Sequence, residues 1–352
     1  MSDFNFNVLS LIDEAVVITS NKKITFLNPP AEKLLGGNFV GKTLSAVFGA
    51  DAPDFPADDF SVNICINKKN CIVRSYRKER NQFLVIKEVK YNQLMIDEAF
   101  LFSMRSSLTV MNMSLEHIRR AAEEYGSKDL LEYADFMNKR LCSVSRLVQN
   151  ISIVNGIHAQ TLHFSPKVYD ISMLFQEYTN IAAALLPQVE ICFDAPAHLY
   201  ASVDASLIKC LLANLISNSV LHGKCRKLSI RLLDKTDYVM LGINDDGCGI
   251  KGDFLYNIFE RYLDRNELSE IGRGAGLGLS AAMGIAQLHG GTMLLETKEG
   301  RGTALRISLR KNLVSVSLNS STPLPTNDTN DFLIGLADCI DEKRFREANS
   351  EF

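Results

Sequence analysis

The chain has 352 residues, with 38 basic and 41 acidic side chains that give a formal net charge of −3. This length predicts two or three domains at about 150 residues each and excludes a single small module. The charge balance leaves no excess of cations for nucleic-acid phosphates, so we expect no nucleic-acid partner.

The sequence carries none of the usual signals of a secreted or membrane-spanning chain. Its first residues include the acidic Asp3 and lack a basic segment followed by a long apolar run. No stretch reaches the roughly 18 uncharged apolar residues that a membrane span needs. The eight cysteines are scattered without a C-x-x-C pair, as expected of reduced thiols. We predict a cytoplasmic protein with no membrane partner.

The first region, up to about residue 89, consists of short apolar runs separated by turn residues. Strands that flank short helices predict an α+β module. The predicted strands are 15–18, 24–27, 60–67, 71–77 and 83–89, with a short helix that ends at Leu35.

Two long helices follow, because apolar residues recur at alternating steps of three and four. This period keeps one seam facing a partner, so we predict an antiparallel hairpin that forms a four-helix bundle in a homodimer. Two ordinary helices packed on a globular core are the alternative. The seam residues are Leu101, Met104, Leu108, Met111, Leu115 and Ile118, then Met137, Leu141, Val144, Val148 and Ile151.

The third region, from about residue 164 to 309, alternates helices and strands. Beyond Lys311 the chain becomes rich in Ser, Thr, Asn and Pro, which is typical of a linker. It ends in an apolar set at helical spacing that could dock on a domain. The predicted helices are 172–185, 205–221 and 280–288, the strands are 189–193, 228–233, 238–244, 292–297 and 304–309, and the terminal set is Phe332, Leu333, Leu336, Ile340 and Phe345.

The densest chemical signal begins on the helix 205–221. Asn214 and Asn218 are four residues apart, which places both amides on one helix face. Amide oxygens beside phosphates suit Mg²⁺, a cation that prefers oxygen ligands. Two asparagines that satisfy neighbouring backbone are the alternative.

Two glycine-containing motifs follow this helix. In the first, Asp245 ends a strand and could accept a hydrogen bond from an exocyclic amine, while Gly247 and Gly249 allow close approach to the backbone. A plain β-turn is the alternative there. In the second, the glycines of 272–278 lead into a helix start, whose N–H groups favour an anion.

These elements, in this order, resemble the ATP-binding domain of sensor histidine kinases, which are related to gyrases and heat-shock chaperones. The resemblance implies a Bergerat-type α/β sandwich that binds ATP and Mg²⁺. It implies that Asn218 is the Mg²⁺ ligand, that Asp245 binds adenine, and that residues 259–274 form a lid over the phosphates. The cofactor-binding residues it implies are Asn214, Asn218, Asp245, Gly247, Gly249, Arg261, Gly274, Gly276, Leu277, Gly278 and Thr303.

The first region resembles a PAS sensory domain, in the runs 13–18, 24–32 and 34–36 and in the run 41–44. Such domains can hold haem, but no histidine precedes His117, so a histidine-ligated haem has no ligand here. An apolar ligand pocket and a domain that makes only dimer contacts both remain open.

The hairpin departs from the histidine kinase pattern. Aligning the family's phosphoacceptor motif with 104–109 puts Phe102 at the histidine and Ser103 at the adjacent acid. Phenylalanine has no lone pair to attack a phosphate, and serine cannot replace the carboxylate base. His117 and Ser106 are the alternative acceptors.

We therefore predict a multidomain α+β protein, with a PAS-like domain at 1–92, a dimerisation hairpin at 93–160, an ATP-binding domain at 161–311 and a linker with a short helix at 312–352. The predicted function is a histidine kinase-like signalling protein that binds Mg-ATP without its own phosphoacceptor. It either phosphorylates a partner in trans or acts as a pseudokinase that regulates another kinase or a response regulator.

Overall fold

In the computed structural model, most of the chain from residue 96 to 341 is described, together with most of the N-terminal module. No helix among these described residues is long and apolar enough to cross a membrane. The described residues are 9, 12–21, 23–44, 47, 61–67, 69–78, 81–88, 96–250, 277–297, 299–312, 329–341, 344–345 and 347–348.

The N-terminal module is an antiparallel sheet with strand order β2-β1-β5-β4-β3. Its helix begins after Asn28, whose side-chain oxygen accepts hydrogen bonds from the backbone N–H groups of Ala31 at 3.1 Å and Val16 at 2.8 Å. One buried amide thus caps the helix and ties it to the sheet. The elements are β1 (Ala15–Ser20), β2 (Lys23–Leu27), α1 (Pro29–Leu35), β3 (Ser61–Ile66), β4 (Lys69–Lys78) and β5 (Asn81–Glu88).

The predicted hairpin is present as α2 (Glu98–Glu124) and α3 (Lys128–Ala159). A single chain buries only part of the predicted seam. Leu101 and Leu115 are buried, whereas other seam residues are exposed in the single chain. The exposed seam residues are Met111, Ile118, Met137 and Val144.

The third region folds as predicted into helices over a sheet, with two additions. Helix α6 begins at Leu277 rather than at 280, and β6 with β8 form a small sheet that the sequence did not predict. The main strands run in the order β11-β12-β10-β9-β7, with only β7 parallel to its neighbour. The elements are β6 (Lys167–Asp170), α4 (Ile171–Leu185), β7 (Glu190–Asp194), β8 (Tyr200–Val203), α5 (Ala205–Leu221), β9 (Lys227–Asp234), β10 (Tyr238–Asp245), α6 (Leu277–Leu288), β11 (Met293–Thr297) and β12 (Thr303–Arg310).

Strands β3 and β11 join the two sheets into one sheet of ten strands. They pair antiparallel, with Val62 opposite Leu294 and Ser61 opposite Leu295. The Leu294 side chain is 1% exposed and belongs to the apolar core of the N-terminal module. The two modules therefore share backbone hydrogen bonds and apolar packing, a link that the sequence did not predict.

The C-terminal apolar set docks on the third region, as predicted. Helix α7 (Thr329–Leu336) and a 3₁₀ turn (Ala337–Cys339) pack against α3, α4 and α5. Phe332 is fully buried and stacks on Tyr178, with ring centroids 5.3 Å apart. Most of the predicted linker, residues 313–328, lies outside the described part of the chain.

Candidate functional site

Asp245 stands at the end of β10, half-buried, with its carboxylate held from three sides. One oxygen accepts hydrogen bonds from the backbone N–H of Gly247 at 3.0 Å and of Thr303 at 3.1 Å. The other accepts the hydroxyl hydrogen of Ser219 at 3.0 Å. A carboxylate has about four acceptor positions, so this one is oriented and still has capacity for a further donor.

The neighbouring Asp246 has a different role. Its Oδ1 accepts hydrogen bonds from the backbone N–H groups of Arg226 at 2.8 Å and Lys227 at 2.9 Å. Both bonds lower the pKa of the Asp246 carboxyl, and the bond from Lys227 has the larger effect. Asp246 thus stabilises the start of β9. Of the two adjacent carboxylates, Asp245 is the one oriented at the end of β10, where the sequence predicts a ligand-binding carboxylate.

Glycines allow the segments around Asp245 to lie unusually close. A Cβ atom at Gly302, where φ is +83°, would lie 1.9 Å from the backbone oxygen of Asp245. At Gly247 it would lie 2.4 Å from the backbone oxygen of Gly223, which also accepts a hydrogen bond from Cys248 N–H at 2.8 Å. The close approach predicted at Gly247 is therefore made by the Gly223 carbonyl in this structure.

The two asparagines of α5 differ in their surroundings. Asn214 is 3% exposed and its amide pairs with that of Asn150 on α3. Asn218 is half-buried, and its backbone oxygen accepts hydrogen bonds from the N–H groups of His222 and Gly223. Within the described residues the Asn218 side chain makes no hydrogen bond, so its amide oxygen is available to a cation.

The predicted phosphate-binding segment is described only from Leu277 onwards. Leu277 and Gly278 form the first turn of α6, and a Cβ at Gly278 would lie 2.9 Å from Asn214 Oδ1. The predicted residues Arg261, Gly274 and Gly276, like the rest of the predicted lid, lie outside the described residues. Where it is described, the segment meets α5 at Asn214, as expected if both contribute to one site.

The alternative acceptor residues lie on the exposed side of α2. Phe102 is 74% exposed, and Ser103, Ser106 and His117 are also exposed. Ser103 contributes its backbone oxygen to a hydrogen bond from the Ser107 hydroxyl at 2.9 Å. This is an ordinary contact within a helix, and none of these side chains lies among the residues that hold Asp245.

Sequence reasoning missed two residues of the site. Ser219 orients Asp245, and Asn150 pairs with Asn214, although neither belongs to a motif singled out above. Ser219 directly follows Asn218, so its place in the sequence was a usable signal. Asn150 lies 64 residues before Asn214, and no local pattern links the two.

Comparison with known families agrees with this geometry. Residues 203–313, which include α5, Asp245, Gly278 and Thr303, match the family described as histidine kinase-, DNA gyrase B-, and HSP90-like ATPase. The chain carries a histidine kinase-like ATPase domain. The predicted ATP-binding fold is thereby confirmed over residues 203–313, the bounds 161–311 stay a prediction, and the family supports ATP as the ligand of the ATPase domain.

Two of the similar proteins are named as a sensor protein and a sensor histidine kinase. Sensor protein ChvG of Rhizobium meliloti is 28% identical over 221 residues, which cover 58% of this chain and 38% of ChvG. Sensor histidine kinase WalK of Bacillus subtilis is 24% identical over 327 residues, or 87% of this chain and 52% of WalK. The chain thus spans about half of these relatives or less.

One similar solved structure is that of histidine kinase ThkA in complex with the response regulator protein TrrA. It is 18% identical and covers 88% of this chain and 98% of that chain, with a TM-score of 0.39.

Proposed function

We propose that this chain is a sensor histidine kinase-like signal-transduction protein that binds Mg-ATP and lacks a phosphoacceptor histidine of its own. The observation that carries the proposal is the Asp245 carboxylate, oriented by Ser219, Gly247 and Thr303 within the ATPase domain. A carboxylate held in this way can accept a hydrogen bond from the exocyclic amine of adenine.

Mg²⁺ belongs to the same proposal, with Asn218 as its protein ligand. The described residues contain no cluster of three or more His, Cys, Asp or Glu that could hold a metal alone. Mg²⁺ is usually bound through one or two protein oxygens together with substrate phosphates and waters, so a single amide oxygen beside a nucleotide fits. Bound Mg²⁺ would neutralise phosphate charge. Asn214, Gly278 and the lid residue Arg261 complete the proposed phosphate site.

The proposal has two versions. In the first, the ATPase domain transfers phosphate in trans to a histidine on a partner. In the second, the chain is a pseudokinase that responds to nucleotide and regulates a partner kinase or response regulator without transfer. The aromatic side chain at 102 and the hydroxyl at 103 argue against self-phosphorylation in both versions, because they cannot replace the usual nucleophile and base.

The proposed partners are a second copy of the chain and a signalling protein. The hairpin exposes Met111, Ile118, Met137 and Val144, an apolar set that a second copy could cover in a homodimer. A response regulator or another kinase as the second partner is what the resemblance to histidine kinases implies. The PAS-like domain and the cytoplasmic location remain predictions from the sequence.

A nucleotide titration tests the proposal by comparing substitutions of two adjacent aspartates, Asp245 and Asp246. We expect a fluorescent ATP analogue to bind the wild type only with Mg²⁺. Asp245→Asn should weaken binding at least about tenfold, because a neutral amide oxygen is a weaker hydrogen-bond acceptor than the charged carboxylate that it replaces. Asp246→Asn should leave affinity within about twofold, since its remaining oxygen can still accept both backbone hydrogen bonds.

Two results would contradict the proposal. No Mg-dependent binding by the wild type at millimolar nucleotide would remove the nucleotide function altogether. Equal losses for Asp245→Asn and Asp246→Asn would show that the site responds to total charge rather than to the oriented carboxylate.

A further inference from the structure

The hairpin and the ATPase domain meet at a pair of asparagines. Asn150 Nδ2 donates a hydrogen bond to Asn214 Oδ1 at 3.0 Å, and Asn214 Nδ2 donates one to Asn150 Oδ1 at 2.8 Å. The two residues are 5% and 3% exposed. Because each amide satisfies the other in a buried place, the pair fixes the end of α3 against α5.

The same Asn214 oxygen also faces the start of α6. A Cβ at Gly278 would lie 2.9 Å from it, so a larger residue there would require the Asn214 side chain to shift. In the proposed function, phosphates bind at this helix start, where backbone N–H groups are unpaired. The Asn214 amide therefore stands between the hairpin on one side and the phosphate position on the other.

We propose that Asn150 is a latch residue, whose pairing with Asn214 and the binding of Mg-nucleotide at Asn214 exclude each other. An amide that is almost fully buried against α3 cannot also present itself to a metal-bound phosphate unless α3 moves. The latch rests on the proposed nucleotide function. In this proposal, the position of the hairpin controls the affinity of the ATPase domain for nucleotide.

The C-terminal segment stabilises the latched arrangement, because it contacts α3 and α5, the two helices that carry Asn150 and Asn214. On the α3 side, Lys139 donates to the backbone oxygen of Ile340 at 2.6 Å, Ser143 donates to Asp338, and Arg146 lies 3.4 Å from the other Asp338 oxygen.

On the ATPase side, the same segment contacts α5 and the end of α4. Cys339 Sγ lies 3.4 Å from Ser217 Oγ, and Gln188 donates to the Cys339 backbone oxygen at 3.2 Å. Arg344 donates to the backbone oxygen of Ala184 at 3.1 Å. A segment held on both sides resists the separation of α3 from α5.

The thermodynamic consequence is a reciprocal coupling. A ligand that binds only the unlatched state must first displace Asn150, so its apparent affinity is reduced by the population of the latched state. By linkage, bound nucleotide must then loosen α3 from the ATPase domain to the same extent.

The test compares nucleotide affinity in hairpin variants of the full chain. Asn150→Ala should bind the Mg-bound ATP analogue about five to thirty times more tightly than the wild type, the factor that one or two net hydrogen bonds supply. Asp338→Ala should change affinity in the same direction by a smaller factor. Asn138→Ala, whose amide contacts Cys142 on the same helix, is the matched control and should not change it.

A distance measurement gives a second readout that does not use affinity. Spin labels on unnatural amino acids at the exposed positions Arg140 of α3 and Met173 of α4 report their separation without interference from the native cysteines. We expect Mg-ATP to shift or broaden the distance distribution of the wild type. Asn150→Ala should show the same change without nucleotide.

The outcomes separate the latch from the function on which it rests. If the wild type binds nucleotide but Asn150→Ala binds equally or more weakly, Asn150 does not compete and the latch is wrong, while the nucleotide function stands. If the wild type binds no nucleotide, both ideas fall. An unchanged distance in Asn150→Ala would also overturn the latch, whatever the affinities are.

Discussion

The ATPase domain and the first helix of the hairpin depart from the histidine kinase pattern to different degrees. In the domain, Asp245 keeps three oriented donors and Asn218 keeps an available amide. On the hairpin, the sequence alignment predicts Phe102 at the acceptor position, and this side chain is 74% exposed and contributes no core packing within one chain. Binding a nucleotide requires placed acceptors and donors, whereas transfer requires a nucleophile as well. The two requirements can therefore be lost separately.

The strongest test of this comparison restores the missing chemistry. We expect no self-phosphorylation of the wild type and an acid-labile label on Phe102→His with Ser103→Glu, after incubation with γ-labelled ATP. An imidazole nitrogen at 102 can attack the γ-phosphorus, and a carboxylate at 103 can accept its proton. Both positions are exposed, so these substitutions should change stability by less than about 0.5 kcal/mol.

Two controls accompany this gain of function. Adding Asp245→Asn to the double variant should strongly reduce the label at ATP concentrations below the dissociation constant, because the nucleotide is bound more weakly. Acid-labile label on the wild type would contradict the comparison, and mapping that label to His117 would show that the acceptor has moved along α2 rather than disappeared.

A second test contrasts two phenylalanines in these two regions. Phe332 is fully buried and stacked on Tyr178, while Phe102 is largely exposed. Phe332→Ala should lower the free energy of unfolding by about 3–5 kcal/mol, because it removes a buried ring and leaves a cavity. Phe102→Ala should change it by less than about 0.5 kcal/mol. Urea denaturation followed by circular dichroism measures both.

The contrast would fail if the two variants were equally stable. A small effect of Phe332→Ala would mean that the C-terminal segment is held by polar contacts such as Arg344 to Ala184 rather than by its apolar face. A large effect of Phe102→Ala would mean that this ring is covered in solution, as it would be by a second copy of the hairpin.

The spacing of apolar residues predicted the helices whose buried faces are formed by residues close together in the sequence. The run from Ala205 to Leu221 is strongly apolar at helical spacing and forms α5 with those bounds. The terminal apolar set docks as its spacing indicated. The sequence predicts the start of α6 three residues too late, because glycines at 276 and 278 are typical of a loop rather than a helix.

Contacts between distant segments could not be predicted in this way. The pairing of β3 with β11 joins residues more than 200 positions apart, and no local pattern in either strand indicates the other as its partner. The Asn150–Asn214 pair depends on how α3 lies across α5. Likewise, the motif around Gly247 was assigned to ligand approach, yet its glycine also accommodates the Gly223 carbonyl, a constraint visible only in three dimensions.

The smallest expected effect concerns a buried histidine that stabilises the start of α5. His289 is fully buried, and its Nε2 accepts a hydrogen bond from the backbone N–H of Asp204 at 3.0 Å, at the residue that caps α5. Its Nδ1 lies 2.8 Å from the backbone oxygen of Ile285 and donates to it. An imidazole that accepts at one nitrogen and donates at the other is neutral, and burial lowers the pKa of His289.

Acid should therefore weaken the fold through His289. The unfolded chain binds a proton on this histidine near its ordinary pKa of 6.5, whereas the folded chain binds it only at lower pH. The stabilisation is complete above pH 6.5 and is lost as the pH falls below it, by at most about 1.4 kcal/mol per pH unit for one proton. His158, whose pKa burial also lowers, adds to the same trend.

Thermal unfolding of His289→Gln between pH 7.5 and 5 should show a flatter pH dependence than the wild type, while His163→Gln, at an exposed position, should keep the wild-type slope. Equal slopes for all three proteins would mean that His289 is not the group that links acid to the stability of the helix bearing Asn214 and Asn218.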